Sequence, residues 1–141
     1  MISKELQSII EPFNKQGKMK YIEAASKEQI ASFEEKHKIQ LPPQYKKWLM
    51  FSDGGELFLP AGIQLYGVAH KPVIDMANDD TPGDGYIVIG ALASGDPVLC
   101  EKTGERISIY NREASRIEDD ETYTDFFSFL SDLYDLLGIG E

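Results

Sequence analysis

The order of periodicities along the chain predicts an α+β domain: a mainly antiparallel sheet covered on one face by helices, with residues 1–141 forming a single domain. Two observations carry this. Apolar residues recur at helical spacing over the first third. After residue 55 the pattern changes to β-branched runs separated by turn residues, before a Phe- and Leu-rich helical stretch returns near the C-terminus. The length of 141 residues suits one core. A composition of 42% hydrophobic and 27% charged residues is that of a folded chain, too apolar for a disordered one.

The first helix is expected in "ISKELQSIIEPF", where Ile2, Leu6, Ile9, Ile10 and Phe13 share a face, with Ser3 as a cap. Pro12 is expected to end or bend it and Gly17 to break it. "MKYIEA" reads as a short extended piece. Ser26 and Gln29 have the spacing of a capping box, which opens the helix "KEQIASFEEKH" with Ile30 and Phe33 on one side. In "LPPQYKKWLMFSDGGELF", Pro42 or Pro43 fits a first helical turn. Tyr45, Trp48, Leu49 and Ser52 then fall on one face, Lys46 and Lys47 lie away from it, and Asp53-Gly54-Gly55 is suited to close the helix.

"ELFLP" and "IQLYGV" flank the turn "AG" as a hairpin. "HKPVIDMANDDTPGDG" reads as a short helix or loop followed by an acidic loop. "YIVIGAL", "PVLCEK" and "RISIYN" are strand-like, joined by "ASGD" and "TGE" in an antiparallel meander. "TDFFSFLSDLYDLLG" closes the pattern, with Thr124 as cap, Phe126, Phe127, Leu130, Leu133, Tyr134 and Leu137 as the apolar face, and Gly138 as the stop.

Charge is divided unevenly. Residues 1–69 carry nine Lys/Arg and eight Asp/Glu, whereas residues 70–141 carry five and sixteen, which places the whole net charge of -10 in the second half. Such a surface repels nucleic acid and anionic membrane and attracts basic partners. One cysteine, Cys100, excludes an intrachain disulfide and suits a reducing compartment. The N-terminus lacks the continuous apolar run of a signal peptide, and no apolar stretch approaches bilayer length, so the expected location is cytoplasmic.

Chemistry is sparsely represented. His37 and His70 belong to no metal-ligand spacing; the first falls near a helix end and the second in a loop. Cys100 beside Leu99 reads as a buried, inert thiol. "GALASGD" lacks the spacing of a nucleophile elbow, and "SDGGELF" lacks the Lys-Ser/Thr of a phosphate loop. The acids of "DDTPGDG" (residues 79–85) do not match calcium-loop spacing and read as an acidic turn. "EDDE" (residues 118–121) reads as solvated charge at a helix N-terminus. No catalytic residue, metal or cofactor is expected.

"IASFEEKHKIQLPPQYKKWLMFSDGG" resembles the signature of the SUKH superfamily, the domain shared with yeast cell-wall assembly regulators. The matching positions are Phe33-Glu34, Leu41-Pro42, the aromatic-centred helix around Tyr45, and Gly54-Gly55. Ile89-Gly90, the Gly95-Asp96 turn, "TGE" and the terminal Phe-rich helix extend the resemblance over about residues 26–137, while the link between Val68 and Gly85 has no matching pattern and Cys100 stands where a different apolar or small residue is expected. The resemblance implies a non-catalytic, protein-binding α+β domain. In bacteria many members look like immunity proteins that neutralise a toxin, often a nuclease or deaminase. On this reading Phe33, Glu34, Leu41, Pro42, Tyr45, Trp48, Leu49, Gly54, Gly55, Ile89, Gly90, Gly95 and Asp96 form the fold.

An acidic inhibitor suits such toxins, whose clefts are basic to hold phosphate. The expected contact is therefore Asp79, Asp80, Asp84, Glu118, Asp119, Asp120 and Glu121, with Tyr86 or Tyr123 as aromatic anchor. The partner is a protein, a cognate toxin domain with a basic surface, and neither nucleic acid nor membrane. A regulatory interaction module of the cell-wall type, or a domain that binds a small molecule or metal, are the alternatives. The sequence leaves oligomeric state open.

Overall fold

Helix α1 (Lys4–Gln16) turns Leu6, Ile10 and Phe13 inward at three- and four-residue spacing, and all three are buried. It continues through Pro12 instead of ending there. The ring removes one N–H from the ladder, but Pro12 is on the exposed side and the next residue, Phe13, is anchored edge-on against Phe58 with ring centroids 5.0 Å apart. The computed structural model describes residues 4–59, 62–70, 73–74, 85–102 and 104–133, the side chains of residues 16 and 118–121 excepted. Tyr134, Leu137 and Gly138 lie outside the described residues, as do the acids at 79, 80 and 84.

After the short strand β1 (Lys18–Lys20), helix α2 (Lys27–His37) starts in the expected capping box. The Gln29 amide donates to Ser26 Oγ at 3.1 Å, and the Ser26 amide donates to Gln29 Oε1 at 2.9 Å. Ile30 and Phe33 are its buried face. Helix α3 (Pro43–Leu49) has Pro42 as its N-cap and buries Tyr45, Trp48 and Leu49. Its last turn is closed by Met50 in right-handed geometry, not by the glycines. Gly54 and Gly55, at φ +99° and +117°, instead swing the chain into the next strand.

Strands β2 (Gly55–Leu59), β3 (Ile63–Leu65), β4 (Tyr86–Leu92), β5 (Pro97–Glu101), β6 (Ile107–Asn111) and β7 (Arg116–Tyr123) complete a sheet in the order β1-β2-β3-β4-β5-β6-β7, every strand antiparallel to its neighbours. The predicted hairpin forms between β2 and β3, with Gly55 opposite Leu65 and Leu57 opposite Ile63. β7 is a correction to the sequence reading. Residues 118–121 belong to this strand and not to the start of a helix. Helix α4 (Phe126–Ser131) is correspondingly capped by Asp125, whose Oδ1 accepts from the Ser128 amide at 2.8 Å, and not by Thr124.

Side chains alternate across the sheet. Ile87, Ile89, Val98, Cys100, Ile107 and Ile109 join the buried helical residues in one core, into which α4 adds Phe126, Phe127, Phe129 and Leu130. Val88, Leu99 and Tyr110 form a second, smaller cluster, with Tyr66, Tyr86 and Ile117 packed on it. Burial on both sides explains why β4 and β5 read as continuous apolar runs.

Candidate functional site

Several of the polar residues singled out by the sequence, Glu34, Tyr45 and Asp96 among them, are engaged inside the molecule. Glu34 Oε2 accepts the Leu41 amide at 2.7 Å and lies 3.2 Å from Lys46 Nζ, so one carboxylate ties the end of α2 to α3. Tyr45 is fully buried; its hydroxyl donates to the Tyr66 carbonyl, with the Ile89 carbonyl 3.3 Å away. Burial pushes that hydroxyl well above its ordinary pKa. Trp48 Nε1 donates to the Gly54 carbonyl at 2.9 Å, and its ring packs edge-on against Phe126. A Cβ on Gly54 would stand 2.6 Å from the Leu65 carbonyl oxygen, and one on Gly90 would stand 2.5 Å from that of Gln64. Gly95 takes φ +97°, while Asp96 Oδ1 accepts the Arg112 amide at 3.2 Å.

Asp53 is the residue that sequence reasoning missed. Its carboxylate is fully buried. Oδ1 accepts the Val68 amide at 2.7 Å, and Oδ2 accepts the Ala69 and His70 amides at 2.9 and 2.8 Å, with His70 Nδ1 also at 2.8 Å. Beside it, Ser52 Oγ accepts the Ile22 amide at 2.9 Å and donates to the Gly54 carbonyl at 2.8 Å. Nothing local marks Asp53 for this work, because its partners stand 15 to 17 residues further along the chain. His70 is thus held by a carboxylate, although its ring is 36% exposed.

The remaining candidates for chemistry are accounted for by packing. Cys100 is buried, and desolvation pushes its thiol up to about 12. His37 ends α2 with its ring 4.4 Å from that of Phe33. Among the described residues, no group of three or more His, Cys, Asp or Glu is placed to hold a metal ion.

The residues expected to meet a partner are not all together. Glu118, Asp119, Asp120 and Glu121 lie on β7, the last strand of the sheet. They occupy the point where β7 loses register with β6: Ile117 pairs with Tyr110 and Thr122 with Ser108, so four acidic residues stand against the single position Ile109. Tyr123 ends the same strand and packs on the main core, its ring 5.3 Å from that of Phe129. Tyr86 starts β4 and packs on the second cluster, across the sheet. Tyr123 therefore adjoins the acidic run along the chain, whereas two strands, β5 and β6, lie between that run and Tyr86.

The profile of the SMI1 / KNR4 family (SUKH-1) matches residues 24–134. The chain belongs to this family. No curated protein matches it. The SUKH-1 region opens just before the capping box of α2 and runs through the described part of α4. It contains the Glu34, Tyr45 and Trp48 contacts, the glycine pair and all of β7, and it leaves α1 and β1 outside. No described helix of this SUKH-1 chain is long and apolar enough to cross a membrane.

Proposed function

We propose that the chain is a non-catalytic protein-binding domain that neutralises a basic partner, most simply a toxin domain whose substrate is anionic. Membership of the SMI1 / KNR4 family supports protein binding as the general activity. The observation that carries the finer reading is the run of four acids on the terminal strand β7, where a register break sets them against a single residue of β6. An edge strand is open to another chain. Acidic side chains there steer a basic surface in and repel nucleic acid, so the inhibitor meets the cleft that the nucleic acid would otherwise fill.

The test is affinity capture from the source cells, combined with identification of the neighbouring genes. Recovery of a basic protein encoded next door, inhibited by an equimolar amount of this chain, is the expected result. Charge reversal at Glu118, Asp119, Asp120 and Glu121 should then slow its association and flatten the salt dependence. Capture of housekeeping proteins alone, with no toxin gene nearby, would replace this reading with a regulatory module of the cell-wall type.

A further inference from the structure

Where β7 runs into α4, the chain leaves a groove against α1 of about 730 Å³. Its floor is apolar, formed by the half-buried Ile9 and Tyr123 and the buried Phe127. Its walls are hydroxyls and acids: Ser8, Thr124, Ser128 and Ser131, with Glu5 on the α1 side and Asp125 and Asp132 on the α4 side. No described lining residue is basic. Asp125 is engaged as the α4 cap, but among the described residues neither Glu5 nor Asp132 has an ion-pair partner. The comparable groove between the α2–α3 link and the β5–β6 turn, about 630 Å³, mixes Glu34 and Glu105 with Lys38 and Lys102 and therefore selects neither sign.

We infer that the groove between α1 and the β7–α4 corner seats a lysine- or arginine-bearing segment of the partner protein. The inference rests on the protein-binding reading above and adds to it the seat and the chemistry of the guest. A cationic side chain has an aliphatic stem and a charged, multiply donating head. The apolar floor takes the stem. The hydroxyls accept from the head, and Glu5 and Asp132 neutralise it from opposite walls. The acids on β7 precede the same corner by one residue pair, Thr122 and Tyr123, so a basic chain steered along the strand arrives at the groove. Helix α1 supplies one wall and precedes the segment that defines the family. The seat can therefore differ between members that share the rest of the fold.

The probe is a short lysine- and arginine-rich peptide, with its acidic counterpart as control, titrated into the isotope-labelled chain and followed by amide chemical shifts. Saturable shifts at Ser8, Thr124, Ser128 and Ser131 with the basic peptide alone are expected. The paired substitution Glu5→Lys and Asp132→Lys should weaken that binding by about tenfold or more, as loss of close charge pairs does. Glu113→Lys, an exposed acid on the β6–β7 turn, should leave binding nearly unchanged. Thermal unfolding of each variant confirms that all three substitutions keep the fold. Shifts spread over the acidic surface without saturation at the groove would overturn the inference, as would equal losses in the groove and control variants. A captured basic partner that binds the groove variant normally would remove the seat and leave the proposed function standing. Groove-centred peptide binding with no basic partner in the cells would remove the function and leave the seat.

Discussion

Removing the carboxylate of Asp53 strips three amides and one imidazole of their acceptor at once. Asp53→Ala is expected to cost about 3–5 kcal/mol, the range for breaking a buried charged network, read as a lowered denaturant midpoint. His70→Ala removes a single, partly exposed partner and should cost about 1 kcal/mol or less. A second residue sets the response to alkali. The Cys100 thiol, 9.0 in the ordinary case, is held up to about 12 by burial, so the folded chain keeps a proton that the unfolded chain has released. Stability is full below pH 9 and falls as pH rises through the window from 9 to 12, and the raised Tyr45 hydroxyl acts in the same direction above its ordinary 10.0. Urea midpoints measured across this window should decline, and Cys100→Ala should lessen the decline. Tyr45, Trp48 and Ser26 were legible from spacing alone, because helical period and capping chemistry are local. Asp53 was not, since its partners are distant in sequence, and "SDGG" carries the ordinary composition of a turn.

At the scale of elements, the capping box and the glycines make separable demands. Ser26→Ala should cost about 1 kcal/mol through loss of the α2 cap. Gly90→Ala should cost more. Its Cβ would meet the Gln64 carbonyl oxygen at 2.5 Å, so β3 and β4 must part or shift. Comparing the two by chemical denaturation, with hydrogen exchange at Leu65 and Ile89, checks both the size and the place of the damage. β4, β5 and β6 were readable because their apolar residues, many of them β-branched, fill both faces of the sheet. β7 was hidden: "RIEDDETY" places four acids in a row, a pattern that suits a solvated segment, and only its pairing with β6 makes it a strand. The same misreading displaced the α4 cap by one residue, from Thr124 to Asp125.

For the whole molecule, a net charge of -10 sets two responses to salt with opposite sign. Screening relieves self-repulsion in the compact state, so added salt up to about 0.15 M should raise the unfolding temperature. The same screening should weaken association with a basic partner, mostly through slower binding. Calorimetry and stopped-flow association in one salt series test both, and parallel trends would show that the acidic face does not steer association. The division of charge between the two halves was evident in the sequence, but the meeting of α1 with α4 that creates a groove was not, since nothing in either helix names its partner. The strand order carries a kinetic consequence. From β4 onward each strand follows its partner across a short turn, so β4 to β7 can grow hairpin by hairpin, a local route to folding. The pairs β1–β2 and β3–β4 must first close the longer connections 21–54 and 66–85. Helix α1 reaches furthest along the chain. It packs against α4, which follows it in the chain only after the whole sheet, so the burial of its inward face is completed by a contact distant in sequence. The contact that closes over α1 is therefore also the one that assembles the proposed seat, and a growing chain has no groove to offer until α4 has followed the seven strands out and docked.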